Sequence, residues 1–150
     1  MTDLTPDRLA ELTSRALERT AFMMSDPAEV DPAALDNAPY SAVIRYTGTA
    51  SGSVTLRAGD SLLCTLAANL LGVEPSDVVA ETQGTDALKE LANIVGGSVI
   101  EALGGRDAAF HLGLPQIAPP GPAAAPVGAR SCCLDCEGQP LFVTWSAAAA

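Results

Sequence analysis

Two stretches of this 150-residue chain are β-prone and double back on themselves. Tyr40–Thr49 (YSAVIRYTGT) is rich in β-branched and aromatic residues, Ala50, Ser51 and Gly52 can turn the chain, and Ser53–Arg57 (SVTLR) alternates like a returning strand. Towards the other end, Arg130–Cys136 and Leu141–Trp145 repeat the pattern around the turn EGQP, and Ala108–Leu114 (AAFHLGL) reads as one more strand. Strands joined as hairpins pair antiparallel. The expectation is therefore an α+β fold, a largely antiparallel sheet with long helices laid on it. The chain has the length of a single domain, with an N-terminal helix over 5–23, a core over 40–146 and a frayed Ala-rich tail at 147–150.

The helices are legible from their ends. Thr5 followed by Pro6 reads as an N-cap with proline at the first helical position, and Leu9, Leu12, Ala16 and Leu17 follow at helical spacing to about Met23. Ser25–Pro39, rich in Pro and acids, reads as a surface connection. Asp60 is expected to cap a second helix whose broad apolar face holds Leu62, Leu63, Leu66, Leu70 and Leu71, ending at Gly72. Thr85 is expected to cap a third, DALKELANIVGGSVIEALGG, with Asp86 suited to the positive end of the helix dipole. Pro115–Gly128 reads as an exposed Pro/Ala-rich loop.

Charge and composition narrow the partners. A formal net charge of −10 disfavours nucleic acid and anionic membrane surfaces, which require clustered Lys and Arg. No run approaches the roughly 20 apolar residues of a membrane span, and the N-terminus lacks a secretory signal, so a cytoplasmic location is expected. Cys133 and Cys136 have C-x-x-C spacing, but a closed zinc site needs four ligands and the single His111 is remote in sequence. Reduced thiols alternating along a strand are the expectation for Cys132, Cys133 and Cys136. His111 is read as a strand residue, Lys89 as a solvated charge and Trp145 as a core or dimer contact.

The chemistry-bearing residues sit on the third helix. At about 100° per residue, Glu90, Asn93 and Gly97 fall within about 40° of Asp86, while Leu88, Leu91, Val95, Val99 and Ala102 gather on the opposite side. Asn93 is a poor helix former, and Gly96 and Gly97 each cost on the order of 1 kcal/mol relative to alanine. Such a stripe suits close approach by a partner. The glycine pair can equally serve packing against the sheet.

ELANIVGG, Glu90–Gly97, resembles the signature helix of the CheX family, in which Glu-x-x-Asn is followed by glycine. GSVTLRAGDSLLCTLAANLLG is similar to the family's strand and following helix, and HLGLPQI to its strand ending in Leu-Pro. The resemblance spans about Tyr40 to Trp145 and points to the CheC/CheX/FliY group. Ser98 stands where many relatives carry Asn, and the loop after Gln116 looks long. Glu11 and Glu18 in the first helix lack an Asn three residues on, so one site is assigned, as in CheX, rather than the two of CheC relatives.

The resemblance implies hydrolysis of the phospho-aspartate on a response-regulator receiver domain such as CheY. Asn93 would orient the attacking water and Glu90 would pair with the receiver's lysine, with Asp86 and Gly97 as partner contacts. It implies Mg²⁺ held mainly by the receiver rather than by this chain, and a homodimer. The alternative is a non-catalytic receiver-binding or scaffold module on the same fold. Either reading requires Glu90 and Asn93 to stand exposed.

Overall fold

In a computed structural model, which describes residues 4–29, 32–104, 109–118 and 128–147, the strands join in one antiparallel sheet. They are β1 (Ser25–Ala28), β2 (Tyr40–Gly48), β3 (Gly52–Ala58), β4 (Phe110–Leu112), β5 (Gln116–Ala118), β6 (Arg130–Cys136) and β7 (Gln139–Ala147). Their order is β1-β6-β7-β3-β2, with β4 and β5 both paired to the outer edge of β2. The helices are α1 (Pro6–Ala21), α2 (Pro32–Asp36), α3 (Asp60–Leu71) and α4 (Thr85–Gly104).

Alternation sets the faces of the sheet. Ala42, Ile44 and Tyr46 of β2, Val54 and Leu56 of β3, and Leu141, Val143 and Trp145 of β7 are buried beneath α1, α3 and α4. Their neighbours Arg45, Thr55 and Thr144 point to the other face. Trp145 is a core residue; its Nε1 donates to Tyr46 Oη at 2.8 Å, which satisfies both buried polar groups. The short α2 covers part of the opposite face, where Ala38, Cys133 and Phe142 form a separate small cluster. Arg57 holds it there by donating from Nε to the Ala38 carbonyl at 2.6 Å and from a terminal nitrogen to the Leu35 carbonyl at 2.8 Å.

Several local expectations need correction. Ser25–Pro39 is not a plain connection: it contains β1 and α2. A four-residue strand carrying Pro27 gives little periodic signal and survives because it lies at the sheet edge, where a ladder donor is dispensable. Gln116–Ala118, inside the expected Pro/Ala loop, pairs with β2, and residues 119–127 of that loop lie outside the described residues. The expected strand from Ala108 is realised as β4, and Ala108 also lies outside them. α1 stops at Ala21, with Phe22 left-handed at φ 54°, while Met23 beyond it is fully buried. Gly59, not Asp60, is the N-cap of α3, and Leu71 is 56 % exposed because it sits at the margin of the apolar face, about 140° round the helix from Leu66. The turn between β6 and β7 is centred on Glu137 and Gly138, at φ 55° and 92°, so Gln139 and Pro140 belong to the strand.

Thr85 does not cap α4. The chain is already helical from Ala80, in a π-type turn where Gly84 N donates to the Val79 carbonyl at 3.0 Å. With helix already behind it, Thr85 is buried and its hydroxyl donates back to the carbonyls of Glu81 and Thr82, each at 3.0 Å. Gly84 lets α3 approach this wide turn: a Cβ there would lie 2.9 Å from Leu63 Cβ.

The cysteines are explained by strand period. Cys132 and Cys136 face the main core, whereas Cys133 points to the α2 side. The C-x-x-C pair thus lies on opposite faces of the sheet and cannot share a metal ion or a disulfide. Burial pushes Cys132 and Cys136 up to about 12, and it raises Cys133 as well. These thiols are expected to react with iodoacetamide at pH 8 at least about tenfold more slowly in the native protein than after unfolding. Native-state alkylation at the unfolded rate would contradict the burial.

The glycine pair of α4 divides its roles. A Cβ on Gly96 would lie 2.9 Å from Ile44 Cγ2 and 3.2 Å from Leu112 Cδ1, so this glycine lets α4 sit down on the sheet. A Cβ on Gly97 would meet nothing within 4 Å. Gly97→Ala is expected to stabilise the fold by about 0.5–1 kcal/mol, raising Tm by about 1–4 °C. Gly96→Ala should lower Tm, because overpacking costs about 1–3 kcal/mol and outweighs the gain in helix propensity. Thermal melts of the two variants check this, and equal stabilisation would refute the assignment.

Candidate functional site

α4 is built to hold one side rigid and leave the other bare. Leu88, Leu91, Ala92, Val95 and Val99 are all completely buried, packed on β2 and β3. α3 packs alongside its N-terminal part and α1 along its C-terminal part, near Ile94 and Ser98. That arrangement leaves Asp86, Glu90 and Asn93 exposed on the outer side, with half-exposed Gly97 one turn further on.

Glu90 and Asn93 are three residues apart, so they occupy adjacent positions on one helical surface. Neither side chain makes a hydrogen bond or ion pair with another described residue. Their hydrogen-bonding capacity is therefore directed outward: two acceptor oxygens from Glu90, one acceptor and two donor hydrogens from Asn93. Asp86 instead pairs with Lys89 at 3.4 Å, an exposed i,i+3 contact worth little in stability. Ser98 turns its hydroxyl back to the Ile94 carbonyl at 3.1 Å and adds nothing to the outer surface. His111 is exposed in β4, opposite Thr47 on β2, and lies outside this stripe.

Tertiary packing adds features that single-helix periodicity does not disclose. A shallow groove of about 260 Å³ runs between α3 and α4, walled by Ala67, Leu70 and Leu71 on one side and by Asp86, Ala87 and Glu90 on the other. Leu71 belongs to this groove rather than to the core. The exposed Phe22, at the end of α1, lies on the same end of the molecule, because Asn69 Nδ2 of α3 donates to the Ala21 carbonyl at 2.9 Å. Periodicity in the sequence places Phe22 inside the helix expected over 5–23 and gives no sign of its exposure.

Among the described residues no group of three or more His, Cys, Asp or Glu could hold a metal ion, and no helix is long and apolar enough to cross a membrane. The stripe supplies an acid and a carboxamide, groups that can orient a water molecule and grip a cation on a partner. It offers no Ser, Thr or Cys nucleophile.

Comparison with known proteins gives this surface a context. No curated protein matches the chain by sequence. Among solved structures, a chemotaxis protein CheX from Desulfovibrio desulfuricans superposes with a TM-score of 0.72 at 19 % identity, covering 93 % of this chain and 96 % of that one. A CheC-like superfamily protein from a Shewanella species gives 0.75 at 17 % identity, covering 99 % and 100 %. The CheX–CheY–BeF3–Mg complex from Borrelia burgdorferi gives 0.71 at 13 % identity, again covering 99 % and 100 %. These likenesses establish the fold, an antiparallel seven-stranded sheet with helices packed on it. The sequence model of the family described as chemotaxis phosphatase CheX matches residues 40–137, a span that includes β2, β3, α3 and all of α4 with its outward acid and amide. On that match the chain belongs to the CheX family of chemotaxis phosphatases.

Proposed function

We propose that this protein hydrolyses the phospho-aspartate of a CheY-like receiver domain, with Asn93 orienting the attacking water and Glu90 pairing with a lysine of the receiver. The observation that carries the reading is the pairing of exposure with rigidity. Two polar side chains with no partner among the described residues stand one turn apart on a helix whose opposite side is wholly buried. Family membership supplies the reaction class.

An acyl phosphate is already activated, so catalysis is chiefly positioning and charge stabilisation. The Asn93 carbonyl oxygen accepts a hydrogen bond from water while its NH₂ donates to a phosphoryl oxygen, which aligns the water oxygen with phosphorus. As the new P–O bond forms, the bond from phosphorus to the aspartate oxygen breaks. The aspartate leaves as carboxylate, and the proton lost by water ends on inorganic phosphate. Glu90 sets the docking register through a charge-assisted contact with the receiver's lysine. Gly97 leaves open space beside the pair, where a bulkier residue would hold a partner's backbone away. Mg²⁺ belongs with the receiver's carboxylates in this reading. The Borrelia relative, whose complex contains CheY, BeF3 and Mg, supports that choice of partner. In the same proposal the protein acts as a homodimer.

The test follows decay of a phosphorylated CheY-type receiver. Wild type is expected to accelerate it. Asn93→Ala should slow the catalysed rate about 100-fold or more, with binding to the beryllofluoride-loaded receiver retained. Glu90→Ala should mainly raise KM. Decay as fast with Asn93→Ala as with wild type would sink the catalytic assignment, and tight binding with no acceleration by wild type would establish the scaffold alternative.

A further inference from the structure

Arg8, Arg15 and Arg19 are separated by seven and four residues on α1, so they project from one helical face. That face borders a cleft of about 410 Å³ between α1 and the C-terminal part of α4, whose far wall includes Ile94, Ser98 and Glu101. Ile94 lies about 100° round α4 from Asn93, so the cleft opens on the flank of the helix next to the reactive stripe. The chain has only eight Lys and Arg residues against 18 acids, and three of the eight line this one feature.

The local charges do not cancel. Glu11 holds two of the guanidiniums, taking Arg15 at 2.8 Å on Oε1 and Arg8 at 3.1 Å on Oε2. Arg19 has no carboxylate at ion-pair distance among the described residues, and Glu101 across the cleft has no cation at that distance among them. The other acids of α1, Asp7 and Glu18, do not line it. One carboxylate thus serves two arginines, and a third arginine remains for a ligand.

We propose that this arginine row is the electrostatic docking surface for the anionic phosphorylation face of the receiver; the inference rests on the phosphorylated receiver being the partner. A phosphoryl group and the carboxylates that hold its Mg²⁺ form a negatively charged surface. A chain of net charge −10 that presents Asp86 and Glu90 on its stripe repels such a surface overall. With a Debye length of about 8 Å at physiological salt, however, the interaction at contact is decided by charges within a few residues of the interface. The arginine row supplies the missing positive field beside Asn93. Guanidinium also suits both carboxylate and phosphate oxygens through paired donors. Glu101 acts against it, tempering affinity so that product can leave.

The experiment measures kcat and KM on a phosphorylated CheY-type receiver, and binding to the same receiver loaded with beryllofluoride and Mg²⁺, from 0.05 to 1 M salt. Arg15→Gln/Arg19→Gln should raise KM and Kd about tenfold at low salt with kcat unchanged, and Arg15→Glu/Arg19→Glu should raise them further. The gap from wild type should close at 1 M salt. Glu101→Gln should shift both constants the opposite way, a sign that loss of helix stability cannot mimic. An unchanged KM and Kd in the arginine variants, or a gap independent of salt, overturns the docking surface and leaves the phosphatase reading standing. Wild type that binds the receiver without turnover, with binding lost in the arginine variants, defeats the catalytic reading and upholds this one. Wild type that neither binds nor dephosphorylates any receiver defeats both.

Discussion

The outer side of α4 stands where it does because its inner side is sealed against β2 and β3. Leu88, Leu91, Val95 and Val99 are all fully buried, each contributing about 1.5–3 kcal/mol relative to exposure. Rotating the helix by even a quarter turn would expose part of that row and drive Glu90 or Asn93 towards the sheet. Gly96 tightens the fit, since the missing Cβ allows the helix axis to settle against Ile44 and Leu112. The orientation of two polar side chains at the surface is therefore decided by apolar contacts beneath them.

That dependence separates two glycines that are neighbours in sequence. Gly96 faces inward and serves contact with the sheet, whereas Gly97 opens to solvent and serves whatever approaches from outside. A helix with both would be a poor helix in isolation. Here the cost is offset by packing from α1, α3 and the sheet, which hold α4 on three sides. The wide turn at Ala80–Gly84 continues the same rod backwards, so the stripe starts from helix already anchored by α3 rather than from a frayed end.

Much of this was readable beforehand, for physical reasons. The β2–β3 and β6–β7 hairpins follow from period-two alternation and adjacent turn residues, both local properties. The two sides of α4 follow from a 3.6-residue repeat sustained over five turns. What escaped was short or cooperative. β1 and β5, with four and three residues, are too short to carry periodicity and exist because β6 and β2 offer them unpaired edges. Thr85 has the chemistry of an N-cap, but capping was overridden once Ala80–Gly84 coiled ahead of it. Leu71 fits a broad apolar face on paper, yet it lies at the margin of that face, where Leu70 packs on the core and Leu71 stays exposed.

The amino-acid sequence by itself determined which residues share a helical face or a strand face, since those relations depend only on the local repeat of the backbone. It therefore placed Asp86, Glu90, Asn93 and Gly97 in one stripe and split Cys133 from Cys136. Only the tertiary structure decided what lies across from each face. It set α1 against α4, turned three arginines from a helix surface into one wall of a cleft, and assigned Gly96 to the sheet and Gly97 to solvent. Contacts between segments 80 residues apart depend on how whole elements pack, and no local repeat encodes that.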